Sequence, residues 1–370
     1  MTLYWYSQAG DVEVASHRLT QPIDAIPHRS AEYNAVLARW LVDWAIELVH
    51  VRHLAWHSVD IPVVAKRLMI PCVLSFHDYY SVCPTVKLLD DQGQFCGGVC
   101  TPGQGQCRHE LWPEDSFTSL KHDQVEGWQA MFRDVLPEFS GFVTTSAEVR
   151  GLILGHYPEL AGHRFEVIPH GRDFGEFLQL AKKPVPGEPF RVVIPGHLTL
   201  AKGGALVTEL AERLPAGTVE FHVLGSVSPD VSLPETVICH GEYQREEFAA
   251  CISDIQPHVG AVLSIWPETW CHTLTELWSV GLPVIGLPLG AAGDRIAASG
   301  AGWLSDSTAV ADVIRVFEAA GDESDWRVKR EAVCEWQING DVAVTVADMA
   351  AAYLRVYEPE GLRVNANKRL

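Results

Sequence analysis

The chain has 370 residues, of which 47% are hydrophobic and 20% are charged, and its formal net charge is −19. This length and composition indicate a globular protein of two domains. The acidic balance excludes nucleic acid as the main partner, because phosphate binding needs a surplus of Lys and Arg. No apolar run approaches the roughly 20 residues of a membrane span, and the N-terminus does not resemble a signal peptide. We therefore expect a cytoplasmic protein with at most peripheral membrane contact.

The first half of the chain alternates segments of helical and strand-like spacing. The predicted helices are 30–44, 59–68, 117–136 and 148–156, and the predicted strands are 46–51, 72–76, 142–145 and 165–168. Residues 84–113 are rich in Gly, Gln and Cys, which predicts a long loop. Strands that alternate with helices in this way are typical of a parallel sheet covered on both faces.

The second half repeats the alternation after a proline-rich linker at 182–189. Its predicted strands are 191–194, 219–224, 237–239, 261–265 and 283–287, and its predicted helices are 204–213, 245–252, 272–280 and 294–298. Three helical segments follow at 308–320, 325–337 and 341–357. The pattern predicts an α/β protein with domains at 1–180 and 181–340, and a C-terminal segment at 341–370 whose helix can cross back to the first domain.

Two carboxylates, Glu268 and Glu276, lie eight residues apart around the start of a predicted helix. This order places both at the carboxyl edge of a parallel sheet, where open α/β folds bind ligands. Apolar neighbours such as Trp266 and Trp278 surround them, and acids in such a setting usually have a polar partner. A carboxylate can accept hydrogen bonds from the vicinal hydroxyls of a sugar or ribose. The alternative is that both are ordinary solvated glutamates at a helix start.

A glycine-rich loop follows the first strand of the second half and contains Gly196, His197, Lys202 and Gly203. Glycines let the backbone approach a ligand, the next helix presents its amides to an anion, and Lys202 adds a full positive charge. The loop matches neither the Walker nor the dinucleotide fingerprint, so a plain strand–helix turn is the alternative. Residues 286–295 form a second glycine-rich junction of the same kind.

Together these segments resemble the retaining glycosyltransferases of family 4. The lysine loop, the two glutamates with seven residues between them, the sequence at 281–285, the glycine-rich junction and the sequence at 302–304 occur in the family's order. In the first half the resemblance depends on residues 75–84, 144–146 and 167–171. It implies the GT-B fold, in which two Rossmann-like domains face each other across a cleft.

The resemblance also implies roles for individual residues. Glu276 is expected to hold the ribose of the donor nucleotide, Glu268 the hydroxyls of the donor sugar, and Lys202 the diphosphate. His77 is expected to face the donor from the first domain. Further donor contacts are expected from eight residues: Gly196, His197, Gly203, Trp270, Cys271, His272, Thr273 and Tyr243.

Two features depart from the family pattern. His197 replaces an arginine that usually pairs with the lysine on the diphosphate, so Arg172 or Arg295 could take over this charge. The family's first strand leads into a glycine-rich loop, whereas here Leu3–Tyr6 is followed by a single glycine, Gly10, and a polar stretch. We therefore expect a first domain that is short at its start and an acceptor side that is incomplete or built differently.

Four of the nine cysteines, Cys83, Cys96, Cys100 and Cys107, fall within the predicted loop. The spacing of Cys96 and Cys100 fits a zinc site, and a loop this long needs something to hold it. The sequence allows a structural zinc ion, free thiols or disulfides.

The resulting hypothesis is a metal-independent hexosyltransferase that moves a sugar from a nucleotide-sugar to a glycan or lipid-linked acceptor with retention, as in polysaccharide biosynthesis. No cofactor is expected for catalysis. One alternative is a non-catalytic GT-B-like module that binds a glycan or nucleotide within a larger assembly. A GT-B phosphorylase or epimerase is a third reading of the same scaffold.

Overall fold

The computed structural model describes residues 1–7, 10–100, 106–117, 120–339 and 344–358. Two parallel sheets, one in each half of the chain, form the framework of the molecule. Each sheet is covered by helices and has its own hydrophobic core. This is the arrangement that alternating strands and helices predict.

The sheet of the first half has four parallel strands in the order in which they occur along the chain. They are β3 (Val49–Val51), β4 (Cys72–Phe76), β5 (Gly141–Thr144) and β6 (Phe165–Val167). The helices of this half are α1 (Ala31–Asp43), α2 (Ile61–Arg67), α3 (Asp123–Val135) and α4 (Ala147–His156). Every residue of β4 and β5 is buried, which explains their uninterrupted apolar sequences.

The second sheet has six parallel strands in the order β12-β11-β10-β7-β8-β9. They are β7 (Phe190–Pro195), β8 (Val219–Leu224), β9 (Ile238–Cys239), β10 (Val259–Val262), β11 (Val284–Gly286) and β12 (Gly302–Leu304). The helices are α5 (Gly204–Arg213), α6 (Phe248–Ile255), α7 (His272–Ser279), α8 (Gly290–Ser299), α9 (Val310–Ala320) and α10 (Glu323–Asn339). The strand order reverses between β7 and β10. Such a reversal opens a crevice at the carboxyl ends of the two strands.

The N-terminal strand differs from the expectation for the family. Strand β1 (Thr2–Ser7) pairs antiparallel with β2 (Gly10–Ser16) as a separate two-stranded hairpin. It does not pair with the four-stranded sheet. Gly10, the first residue of β2, has a φ of +115°, a backbone conformation that glycine adopts without the steric cost of a Cβ atom. The hairpin exposes Trp5 and Tyr6.

The last described helix, α11 (Val346–Tyr357), lies against the first sheet although it follows the second one along the chain. Tyr357 Oη is 2.6 Å from Nδ1 of His50, and Tyr353 packs near Val73 and Val143. The connecting residues 168–189 contain no helix or strand. Their latter part lies along the second domain, where the Leu178 amide donates to the Ser279 carbonyl.

Several predicted boundaries require correction. Helix α3 begins at Asp123 rather than residue 117, and β3 begins at Val49 rather than residue 46. Helix α8 begins at Gly290, inside the junction predicted to be a loop, and the short strand β12 was not predicted. The predicted loop at 84–113 contains no helix or strand in the part that is described. Among the helices of the described ranges, none combines the length and apolarity that crossing a bilayer requires.

Candidate functional site

Glu268 lies at the carboxyl edge of the second sheet, in the loop between β10 and α7. Its side chain is buried, and Oε1 accepts a hydrogen bond from the hydroxyl of Ser264. The ammonium of Lys202 lies 3.5 Å from the same oxygen. The predicted pair of Glu268 and Lys202 therefore meets in the crevice between β7 and β10.

Glu276 lies inside α7 and is also buried. Its Oε1 forms an ion pair of 2.6 Å with Nη1 of Arg172, and its Oε2 accepts a hydrogen bond of 3.3 Å from Tyr243. Arg172 comes from the segment that follows the first sheet. The carboxylate predicted to hold ribose is thus paired with Arg172, a residue more than one hundred positions away in sequence.

The lysine loop passes very close to its neighbours. Gly203 has a φ of +85°, and a Cβ atom there would lie 2.2 Å from the carbonyl oxygen of Leu263. A Cβ atom on Gly225 would lie 2.0 Å from the carbonyl oxygen of Gly196. Glycines at these points allow the loop to settle against β8 and β10. A small cavity at this place is lined by His197, Lys202, Glu268 and Thr273, among others.

The two arginines considered as replacements for the family's phosphate arginine have different surroundings: Arg172 pairs with Glu276, whereas Arg295 contacts the loop before α7. Arg295 is buried and donates to the carbonyls of Trp270 and Cys271 and to the hydroxyl of Thr275. Its guanidinium also lies 4.1 Å from the ring centroid of Trp270, a cation–π contact. Arg295 therefore holds the start of α7 in place. His197 is exposed, with Nδ1 2.9 Å from the hydroxyl of Ser226.

The start of α7 contains the remaining predicted donor contacts. Cys271 has a φ of +70° and is buried, which raises the pKa of its thiol to about 12. Its sulfur lies 3.2 Å from the hydroxyl of Thr273. The ring of His272 faces His170 at a centroid distance of 5.0 Å. The amides of a helix's first turn have no partner within the helix, and α7 has no side-chain cap hydrogen bond, so this N-terminus is a candidate anion site.

The first domain contributes His77, directly after β4. Its ring stacks on that of His170 at 5.9 Å, and Nε2 is buried without a hydrogen-bond partner among the described residues. Burial, reinforced by the nearby charge of Arg52, lowers the pKa of His77 to about 4. Burial also lowers the pKa of His170 to about 4, with His272 and Arg52 adding to the effect. Both imidazoles are therefore neutral at physiological pH.

Two hydrogen bonds of Thr269 join the domains beside this site. Its hydroxyl donates to the carbonyl of His77 at 2.8 Å, and its carbonyl accepts from the hydroxyl of Thr145 at 2.5 Å. Sequence reasoning did not single out Thr269 or Thr145. Their positions after β10 and β5 were the available signal, because the carboxyl ends of parallel strands face the cleft.

A third interdomain contact was also missed. The Glu148 carboxylate, in the first turn of α4, accepts a 3.1 Å hydrogen bond from the amide of Gly290, the first residue of α8. Burial, with a contribution from the charge of Asp294, raises the pKa of Glu148 to about 7. The Glu148 carboxyl group thus joins α4 to the N-terminus of α8 across the cleft, and its pKa is near neutral pH.

The four clustered cysteines lie within the 84–113 segment or directly before it. Cys83 and Cys107 are buried, and Cys96 and Cys100 are half-buried. The Cys100 sulfur accepts from the amide of His122 at 2.9 Å. Burial, to which the neighbouring thiols add, raises the pKa of Cys107 to about 12. No group of three or more His, Cys, Asp or Glu side chains within the described ranges is arranged to hold a metal ion, and residues 101–105 fall outside those ranges.

Comparisons with known proteins agree with this geometry. Residues 4–176 match the family model described as Glycosyltransferase Family 4. No curated protein matches the chain. Solved structures that share the fold include HepE from Anabaena in complex with UDP, at 13% identity and a TM-score of 0.59, covering 88% of this chain and 81% of that one.

Two synthases give similar values. Sucrose-phosphate synthase from Thermosynechococcus elongatus is 14% identical with a TM-score of 0.58, covering 88% of this chain and 77% of its own. The UDP-forming trehalose-phosphate synthase from Burkholderia xenovorans is 14% identical with a TM-score of 0.56, covering 88% and 76%. The expected architecture of two Rossmann-like domains facing across a cleft is confirmed.

Proposed function

We propose that this chain, of which residues 4–176 match the model of glycosyltransferase family 4 and which has the GT-B fold, transfers a sugar from a nucleotide-sugar with retention of anomeric configuration. The observation that supports the proposal most directly is the meeting of Glu268, Lys202 and Ser264 at the switch point of the second sheet. Glu276 lies about one turn inside α7, four residues after its first residue His272, and we propose that it binds the other end of the same ligand.

UDP is the nucleotide that we propose for the donor. HepE from Anabaena was crystallised both with UDP and with UDP-glucose, and the trehalose-phosphate synthase is described as UDP-forming. In this chain the ribose hydroxyls would bind Glu276, which requires Arg172 to release the carboxylate. Tyr243 would then lie beside the ribose and the base.

The chemistry that we propose is electrostatic. As the bond from sugar to diphosphate breaks, negative charge grows on the leaving group. Lys202 and the amides of residues 270–273 would stabilise that charge, and preorganised groups of this kind supply most of the catalysis in many enzymes. Because these groups provide positive charge themselves, we propose that transfer does not need a metal ion. Glu268 and the neutral His77 would hold sugar hydroxyls on opposite sides of the cleft.

The acceptor that we propose is a glycan or a lipid-linked glycan, and the location is the cytoplasm, with peripheral membrane contact allowed. Closure of the cleft through Thr269 would exclude water, so that the donor is transferred rather than hydrolysed. This protection matters for any transferase, because water competes with the acceptor at the same carbon.

The nucleotide proposal can be tested by thermal shift with UDP, GDP, ADP and TDP. A ligand that binds only the native state raises stability by mass action, so UDP is expected to raise the Tm of the wild type. Glu276→Ala is expected to lose most of that rise, whereas Glu268→Ala is expected to keep it and to lose turnover. Normal transfer by both variants would contradict the assigned roles.

The second candidate function is a non-catalytic GT-B-like binding module. The replacement of the family's phosphate arginine by His197 and the N-terminal hairpin favour it. Release of UDP from UDP-glucose by the purified chain would exclude this alternative. Dependence of the reaction on inorganic phosphate would instead indicate a phosphorylase.

We further propose a structural zinc ion at Cys83, Cys96, Cys100 and Cys107. The support is that Cys96 and Cys100 raise the pKa of the Cys83 thiol and that all three other thiols raise that of Cys107, although the described side chains are not arranged as a metal site. Zinc would bind thiolates and stabilise a segment that otherwise contains no helix or strand. Elemental analysis of the purified protein tests this, and a zinc content near zero would refute it.

A further inference from the structure

A second cavity lies between the domains, separate from the small cavity beside Glu268. Its volume is about 390 Å³, which is within the range of roughly 300–1,000 Å³ that small-molecule sites occupy. One wall consists of residues 85–93 with Arg108 and Glu110, and the other consists of residues 199–201 with Ser228, Asp230 and Ile265. We call it the interdomain chamber.

The chamber shares structural elements with the proposed donor site. Ala201 lines the chamber and directly precedes Lys202, whose ammonium reaches Glu268. Ile265 also lines the chamber and directly follows Ser264, whose hydroxyl donates to Glu268. The amide of Ile265 donates to the Ala201 carbonyl at 3.0 Å, which fixes the two stretches to each other. The same two loops therefore border the chamber and the cavity where donor phosphate and sugar would lie.

The other wall of the chamber comes from the segment of the first domain that follows β4. Hairpin β1–β2 does not pair with the four-stranded sheet in the described part of the chain, and it does not line the chamber. The cysteine-bearing segment instead reaches across to the second domain, where Arg108 lies 3.8 Å from Asp230. A segment that bridges the domains over a cavity can form the acceptor side of the site.

The charges of the chamber indicate the kind of molecule that it can bind. Its charged lining residues are four carboxylates and two cations, namely Asp90, Asp91, Glu110, Asp230, Lys87 and Arg108. Both cations are paired with carboxylates, Lys87 with Glu110 at 2.5 Å and Arg108 with Asp230 at 3.8 Å. Asp91 is in turn paired with Lys121 at 2.5 Å, which leaves Asp90 as the lining carboxylate without a cationic partner among the described residues. A phosphate group would therefore meet this excess negative charge and cations that already have partners.

Uncharged hydroxyl groups suit the same surface well. A hydroxyl can donate to a carboxylate oxygen and accept from a lysine or serine, and hydrogen bonds to charged groups are stronger than those between neutral groups. Building on the proposed transferase function, we infer that the interdomain chamber is the acceptor site and that it takes an uncharged saccharide rather than a sugar phosphate.

The inference can be tested by saturation-transfer difference NMR in the presence of UDP. The probes are the methyl α-glycosides of glucose, galactose and mannose, with glucose 6-phosphate as the anionic comparison. At least one neutral glycoside is expected to bind, and more tightly than glucose 6-phosphate. Ser228→Phe places a ring in the chamber and is expected to abolish the saccharide signal. Glu110→Gln, on the exposed opposite wall, is expected to weaken binding about tenfold.

The matched control is Glu318→Gln, an equally conservative change on an exposed face of α9, which is expected to leave saccharide binding unchanged. UDP binding is measured on the same samples by thermal shift. Absence of UDP binding by the wild type would count against the proposed function. If UDP binding is intact, any one of three results would overturn the chamber assignment alone. These results are tighter binding of glucose 6-phosphate, no binding of a neutral saccharide, or saccharide signals that persist in both chamber variants.

Discussion

Arg172 and Glu276 form an ion pair of 2.6 Å between a segment near the domain junction and the helix of the proposed nucleotide site. Both side chains are largely buried, at 12% and 10% exposure. A donor nucleotide that uses Glu276 must replace the guanidinium with its ribose hydroxyls. The ion pair therefore links nucleotide binding to the position of the segment that connects the two domains.

Removal of Arg172 separates its two candidate roles. Arg172→Met leaves Glu276 buried without its charged partner, which is expected to destabilise the protein by about 3 kcal/mol. If Arg172 only occupies the ribose site, UDP binds this variant at least as tightly as the wild type and raises its Tm by more. Isothermal titration and thermal unfolding measure both effects.

The control for this prediction is the double variant Arg172→Met/Glu276→Gln. It removes the uncompensated charge, so its stability is expected to recover while its UDP affinity falls. A loss of UDP affinity of tenfold or more in Arg172→Met alone would show instead that Arg172 holds the diphosphate.

Lys202 is predicted to act mainly on the leaving group. Lys202→Met removes the positive charge nearest Glu268, and loss of one preorganised group of this kind typically lowers kcat by about 10²-fold. Lys183→Met is the matched control, because Lys183 is exposed and pairs only with Glu323 among the described residues. Steady-state kinetics with UDP-glucose distinguish the two. An unchanged kcat in Lys202→Met would remove Lys202 from the mechanism.

Much of the fold followed from the sequence because most strands of the two sheets are short, mainly apolar and bounded by turn residues. Strand β12 was missed since Gly302, Trp303 and Leu304 are too few to show a period. Helix α8 was given too late a start because Gly290 and Gly293 lie within it. There the tight packing of Gly293 against the Leu287 carbonyl requires glycine in a helix, against its low helix propensity.

The site could be predicted only where its residues are close in sequence. Glu268, Glu276 and Lys202 were named because spacing and loop composition place them at one sheet edge. Partners from distant segments, such as Arg172 on Glu276 and Thr145 on Thr269, depend on how the domains face each other. Sequence spacing contains no information on that relation.

The close approach of the lysine loop to the end of β10 predicts a loss of stability on substitution of Gly203, for which Gly217 provides a matched control. In Gly203→Ala the new methyl would lie 2.2 Å from the Leu263 carbonyl, and the φ of +85° is itself unfavourable. Gly217 has a similar φ of +77° but no atom within 4 Å. Gly217→Ala is therefore expected to cost only the backbone term of about 1–2 kcal/mol, as measured by urea unfolding.

Gly203→Ala is expected to cost more and also to reduce the thermal shift with UDP, because the loop that positions Lys202 must move. Equal losses of stability in the two variants, with UDP binding intact in both, would show that the close approach to Leu263 is not needed.

The interdomain contact of Glu148 with Gly290 predicts a specific pH dependence of stability. The native pKa is raised from 4.5 to about 7, so between these values the native state keeps a proton that the unfolded state has released. Stability due to this group therefore falls as pH rises through that window. The effect is expected to be about 1 kcal/mol, because partial solvent exposure screens the charge. Buried histidines with lowered pKa values make stability rise with pH instead. The contribution of Glu148 must therefore be isolated by comparing the wild type with a Glu148 variant.

Glu148→Gln keeps an acceptor for the Gly290 amide but cannot titrate. It is expected to be as stable as the wild type near pH 5 and more stable near pH 7.5, as measured by urea unfolding across the range. Glu212→Gln, an exposed change on α5, is expected to follow the wild type at every pH. Since Glu148 joins α4 to the N-terminus of α8, its ionisation near neutral pH should also weaken closure of the cleft. Parallel pH curves for wild type and Glu148→Gln would mean that the carboxyl is ionised in the closed state and is stabilised by the amides of α8.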